Sequence, residues 1–197
     1  MEEMFCFQCQ QTAHNSGCEG RAGVCGKKSD TANYQDELTG ALIGLSRAVR
    51  KKLALNPDAS FEHADELILK GLFTTITNVN FFNDTIIKLI HEVNVEKDRI
   101  YPDIMNYDVR HIWEDQEDIR SLKSLILFGL RGMAAYAYHA YALDYVDKNV
   151  LAFFYEGLEA IASENSSDEL LALVLKTGEI NFRCMELLDH ANSGTYG

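Results

Sequence analysis

The stretch SFEHADELILKGLFTTITNVNFFNDTIIKLIHEV, residues 60–93, decides the fold class. Ile68, Leu72, Ile76, Val79, Phe82, Ile86, Leu89 and Val93 recur in it at three- and four-residue steps. That period places them on one face of a helix. The spacing predicts a single long helix from about Ser60 to Val93, the spine of a bundle.

The same period extends on both sides. Leu38, Leu42, Leu45 and Val49 share a face within a helix expected from about Thr31 to Leu53, with Ser29, Asp30 and Thr31 as candidate caps. Asn56-Pro57-Asp58 breaks it. Residues 101–113 have no period and are expected to cross between helices. Glu114, Asp115, Glu117 and Asp118 then suit the start of a helix from about Asp118 to Leu143. Two more are expected, Asp147 to Ile161 and Ser167 to His190, with Ser166 and Glu169 in capping-box spacing before the last. Two prolines and no convincing alternating strand complete an all-α reading: a helical bundle, or bundles, of about five long helices. The expected division is a cysteine-rich loop over 1–30, the bundle over 31–191 and a linker over 192–197.

Composition limits the partners. Eighteen Lys and Arg stand against 30 Asp and Glu, a net charge of −12, which argues against a phosphate backbone and hence against nucleic acid. No apolar run has the length of a membrane span, and Met1-Glu2-Glu3-Met4 lacks the basic and apolar parts of a signal peptide. A cytoplasmic protein is expected.

Four of the five cysteines fall within the first 25 residues, as C-x2-C-x8-C-x6-C: Cys6, Cys9, Cys18 and Cys25. Such a group in a cytosolic-looking chain reads as a metal site rather than a disulfide framework. Its four soft donors admit an iron–sulfur cluster or a structural zinc ion. Gly17, Gly20, Gly23 and Gly26 would let backbone N–H groups approach the sulfurs. Arg21, Lys27 and Lys28 supply positive charge, and Phe5, Phe7 and Val24 would exclude water. Cys184 stands alone and reads as a small buried hydrophobe. Tyr136, Tyr138, Tyr141 and Tyr145 read as packing rather than as an electron relay. Residues 114–118 read as a solvated helix start rather than a docking patch.

Met4-Phe5-Cys6-Phe7-Gln8-Cys9-Gln10-Gln11-Thr12-Ala13, followed by Gly23-Val24-Cys25-Gly26-Lys27, resembles the opening of the hybrid-cluster protein family, also called prismane proteins or hydroxylamine reductases. The resemblance continues through 72–81, 129–137 and 176–189 to Thr195-Tyr196-Gly197, so it covers the whole chain. It implies that Cys6, Cys9, Cys18 and Cys25 are the ligands of the family's proximal cluster, commonly [4Fe-4S]. Relatives with [2Fe-2S] have a longer gap between the second and third cysteines, so the eight-residue gap favours the four-iron form. Full members are more than twice this length, and their catalytic hybrid cluster is ligated by His, Glu and Cys residues of later domains. The resemblance is therefore to the helical N-terminal domain alone: an electron-transfer domain serving a redox partner or catalytic domains not in this chain, without hydroxylamine reductase activity by itself. Helical faces left uncovered would favour self-association. From a different class, a structural module pinned by a four-cysteine metal site would keep the same ligands.

Overall fold

The computed structural model describes residues 3–9, 12–77 and 79–197. Gln10, Gln11 and Asn78, which belong to the resembling segments, lie outside the described residues. The chain is all-α with a small N-terminal ladder. Strands β1 (Met4–Cys6) and β2 (Cys18–Gly20) precede helices α1 (Ser29–Leu55), α2 (Glu62–Thr74), α3 (Asn83–Ile100), α4 (His111–Glu114), α5 (Glu117–Tyr141), α6 (Lys148–Ile161) and α7 (Ser167–Tyr196).

Two helices organise the bundle. α1 packs against α2, α3 and α6, and α5 packs against α2, α6 and α7. The apolar stripes read from the sequence supply the core: Leu38, Leu42, Leu45 and Val49 of α1 meet Ile68 and Leu72 of α2 and Ile86, Leu89 and Val93 of α3, all buried. None of the helices among the described residues is long and apolar enough to cross a membrane.

The expected helix from Ser60 to Val93 is two helices, broken over 75–82. Thr74, Thr75 and Thr77 are β-branched around Ile76, and their stiff side chains fit a helix poorly. The break is fixed from outside as well. The Asn80 carbonyl accepts from Gln35 Nε2 of α1 at 2.9 Å, and Asn80 Oδ1 accepts from the Phe82 N–H at 2.8 Å. These bonds take polar groups out of a helical ladder, which is why an unbroken stripe does not give an unbroken helix.

The terminal segments also differ from expectation. Residues 1–28 are not all loop: β1 and β2 pair antiparallel with Met4 opposite Gly20 and Cys6 opposite Cys18. Helix α1 begins at Ser29, so Lys28 occupies the cap position without a side-chain bond, and Asp30 accepts from the Thr31 N–H at 2.7 Å. At the other end residues 192–196 are no linker but the last turns of α7. Ala191 is fully buried there, and Gly194 leaves room for the Tyr145 hydroxyl where any Cβ would collide. The expected caps of the last two helices are present. Asp147 accepts from the Asn149 and Val150 N–H groups, and Ser166 and Glu169 close a reciprocal capping box.

Candidate metal centre

The alternation of a strand sorts the N-terminal residues onto two faces. Met4 and Cys6 point one way, and Phe5 and Phe7 the other. Cys6, Cys9, Cys18 and Cys25 line one small cavity together with Met4, Val24, Lys27 and Thr77. The site is thus built from β1, β2, the 21–28 turn and the segment between α2 and α3. Gly26 has φ +84°, a left-handed conformation that lets the turn fold back so that the Gly26 N–H reaches the Gly23 carbonyl at 2.9 Å. Gly23 carries no Cβ toward Cys25 Sγ, Met4 Cε and Cys18 Cβ.

All four sequence-predicted cysteines are brought together. Cys18 is buried at 6% exposure, and Cys6, Cys9 and Cys25 are half-buried. The expected approach of backbone to sulfur is present: the Val24 N–H donates to Cys18 Sγ at 3.5 Å. Among the described residues no three His, Cys, Asp or Glu side chains converge on a position for a single metal ion. All four cysteines border the same cavity.

The water-excluding residues are not those expected. Val24 lines the cavity yet is 65% exposed. Phe5 and Phe7 turn away and pack on Trp113, with ring centroids 4.9 and 4.6 Å from it. They anchor β1 to α4 while Met4, 3% exposed, closes the cavity from the same face as Cys6. Of the three basic residues near the cysteines, Arg21 and Lys28 are exposed and Lys27 is buried at 1% exposure. Lys27 Nζ donates to Gln35 Oε1 at 2.5 Å and reaches Gln8 Oε1 at 3.5 Å.

Behind this layer lies a polar group that periodicity does not reveal. Gln8 Nε2 donates to Asp36 Oδ1 at 3.1 Å. Arg131 of α5, 5% exposed, donates from Nε to Thr75 Oγ1 at 3.0 Å and from Nη2 to Thr39 Oγ1 at 3.1 Å. Burial pushes the Asp36 carboxyl up to about 6, against the pull of Arg131, the Gln8 bond and Lys27. Burial likewise lowers Arg131 to about 10, opposed by Asp36 and Cys6, so it remains a cation at neutral pH. The Cys6 thiol is raised by burial, while the Gln8 backbone bond, Lys27 and Arg131 favour its thiolate. One signal for Arg131 was available in the sequence. It sits three residues before Ala134 and four after Leu127, on the buried face of its helix, where a charge demands a partner.

The remaining candidates are structural. Cys184 is fully buried with its Sγ toward the Met133 carbonyl at 3.9 Å. Tyr138 stacks on Phe73 at 5.6 Å. In the acidic run, Asp115 pairs with Lys123 at 2.8 Å and Glu117 and Asp118 occupy the first turn of α5.

Residues 4–197 match the model of the Prismane/CO dehydrogenase family. The chain belongs to that family. It is 38% identical over 222 residues to a hydroxylamine reductase of Desulfitobacterium hafniense (strain Y51), a match covering 98% of this chain and 40% of that protein. A hydroxylamine reductase of Caldanaerobacter subterraneus subsp. tengcongensis is also 38% identical, over 99% of this chain and 40% of its own length. One from Methanocella arvoryzae is 39% identical, over 98% of this chain and 41% of its own length. The chain therefore spans about 40% of the length of these relatives within the family.

Proposed function

We propose that the chain is an iron–sulfur electron-transfer domain in which Cys6, Cys9, Cys18 and Cys25 hold one [4Fe-4S] cluster. The observation that carries this reading is the convergence of all four N-terminal cysteines on one cavity. Four thiolates suit an iron–sulfur cluster. Membership of the family and likeness to hydroxylamine reductases support the same assignment.

A four-thiolate cluster supplies a one-electron couple whose potential follows its net charge, the hydrogen bonds to its sulfurs and its exposure. The residues present act on each of these. Lys27 sets a buried positive charge against the sulfurs, the Val24 N–H reaches Cys18 Sγ, and Met4 covers one side. Half-exposed Cys25 and the exposed Val24 leave the other side open to an electron donor or acceptor. The chemistry named for the relatives belongs to proteins of which this chain matches about 40%. The role proposed here is electron delivery to a redox partner or to catalytic domains elsewhere.

The test is an anaerobic absorption and EPR spectrum of isolated and dithionite-reduced protein, with iron and zinc measured on the same sample. About four irons per chain, brown colour and a reduced-state EPR signal are expected. A colourless protein with about one zinc per chain would overturn the assignment in favour of a structural module held by the same four thiolates.

A further inference from the structure

Arg131 is a buried cation with incomplete compensation. Its Nε and Nη2 are held by Thr75 and Thr39, and its Nη1 is buried with no hydrogen-bond partner among the described residues. Both threonine hydroxyls spend their own protons on backbone, Thr39 on the Gln35 carbonyl and Thr75 on the Leu72 carbonyl, so each presents only lone pairs to the guanidinium. These neutral acceptors fix its position without cancelling its charge. Asp36 is the first of the negative groups that act on it and Cys6 the second, and Asp36 forms no ion pair with it among the described residues. A buried guanidinium in this state is stabilised by whatever negative charge lies nearest.

The two threonines connect it to segments that wall the cysteine cavity. Thr75 lies two residues before Thr77, which lines that cavity. Thr39 bonds the backbone of Gln35, whose side chain receives Lys27, another lining residue. Cys6 is among the groups whose charge Arg131 feels.

We propose that Arg131 is a second internal countercharge of the four-cysteine centre beside Lys27, a positioning residue that favours the state with one more electron and so raises the reduction potential. The inference rests on the iron–sulfur reading and adds a residue far from the cysteine motif in sequence. A fixed cation in a poorly screened interior acts on the centre's negative charge over several ångströms, unlike the exposed Arg21 and Lys28, whose fields solvent and salt attenuate.

The experiment is an EPR-monitored redox titration of the full chain, after its iron content and reduced-state signal have been verified. Arg131→Met should shift the reduced-to-oxidised ratio at fixed potential at least tenfold toward oxidised, a fall of about 59 mV for a one-electron couple. Arg131→Lys should recover most of that loss. Should Arg131→Met lose its helical circular dichroism, the comparison moves to a charge-balanced background, Asp36→Asn against Asp36→Asn/Arg131→Gln, where the same downward shift is expected. An iron-loaded, folded variant with unchanged potential would overturn the countercharge role and leave the iron–sulfur reading standing. A parent chain without any redox-active cluster would overturn both.

Discussion

Gln35 holds two segments at once: its Oε1 accepts from Lys27 Nζ at 2.5 Å and its Nε2 donates to the Asn80 carbonyl at 2.9 Å. Both Gln35 and Lys27 are buried, so water cannot readily replace the bond between them. The amide therefore fastens the cysteine turn and the α2–α3 segment to α1. Gln35→Leu should leave a buried ammonium and a carbonyl poorly paired and lower stability by about 2–4 kcal/mol. Urea unfolding followed by circular dichroism reads this directly, and a loss below about 0.5 kcal/mol would show the fastening to be incidental.

Two glycines in helices should respond with opposite signs. A Cβ on Gly40 would run into the Tyr107 backbone carbonyl, and the Tyr107 N–H donates to the Gly40 carbonyl at 3.1 Å, so helix and loop cannot separate without losing that bond. Gly40→Ala should destabilise by about 1–3 kcal/mol. Gly132, on the exposed side of α5, would place its Cβ in open space. There Gly132→Ala should stabilise by about 0.5–1 kcal/mol, because alanine loses less backbone entropy on entering a helix. Melting curves of the two variants test the pair together.

Asp36 gives a pH dependence of definite sign. Its carboxyl titrates at about 6 in the folded chain, above the ordinary value of about 3.9 for an unfolded one. The folded state therefore holds the extra proton between about pH 4 and 6, and this group's contribution to stability is lost as pH rises through that window. With the side chain only half-buried, the loss should be about 1–3 kcal/mol. Asp36→Asn should accordingly be more stable than the parent at about pH 7.5 and equal to it near pH 4. Equal stabilities at both would show the carboxyl to be unperturbed.

Cys184 and the four N-terminal cysteines should behave as different chemical classes. Burial, with Asp147 adding to it, pushes the Cys184 thiol up to about 12, so almost none is thiolate at physiological pH. Iodoacetamide at about pH 8 should leave it unlabelled in the folded chain. Cys184→Ala should retain full iron content, whereas Cys18→Ala should lose most of it. Equal iron loss in both would contradict the assignment of ligands.

Much of this architecture was legible in the sequence, and the failures have particular causes. The capping box of Ser166 and Glu169 was readable because capping is local, requiring only residues three apart. The apolar stripe of α1 was readable because burial follows period. The break over 75–82 was not, since Ile76, Val79 and Phe82 keep the stripe's spacing while Gln35, remote in sequence, takes the Asn80 carbonyl. The last turns of α7 were misread because Gly194 looks like a linker residue until Tyr145 is seen occupying the space beside it. At the candidate centre, spacing singled out the four cysteines that line one cavity. It assigned water exclusion to Phe5 and Phe7 because the three-residue strand β1, which turns Phe5 outward and Met4 inward, is too short to show alternation. Arg131 was missed because its only signal, a charge on a buried face, says that a partner exists without saying which.

The register of the N-terminal ladder has a consequence for how the centre is loaded. Backbone pairing sets Cys6 opposite Cys18, and a slip of one residue would throw one of the two sulfurs to the far face. Two of the four N-terminal cysteines are thus held side by side by backbone hydrogen bonds. In sites that fold only around their ion, affinity is diminished by the work of ordering the loop. In the reading proposed for these cysteines, that part of the ordering would come from the backbone ladder, whose register would fix which way the Cys6 and Cys18 sulfurs face.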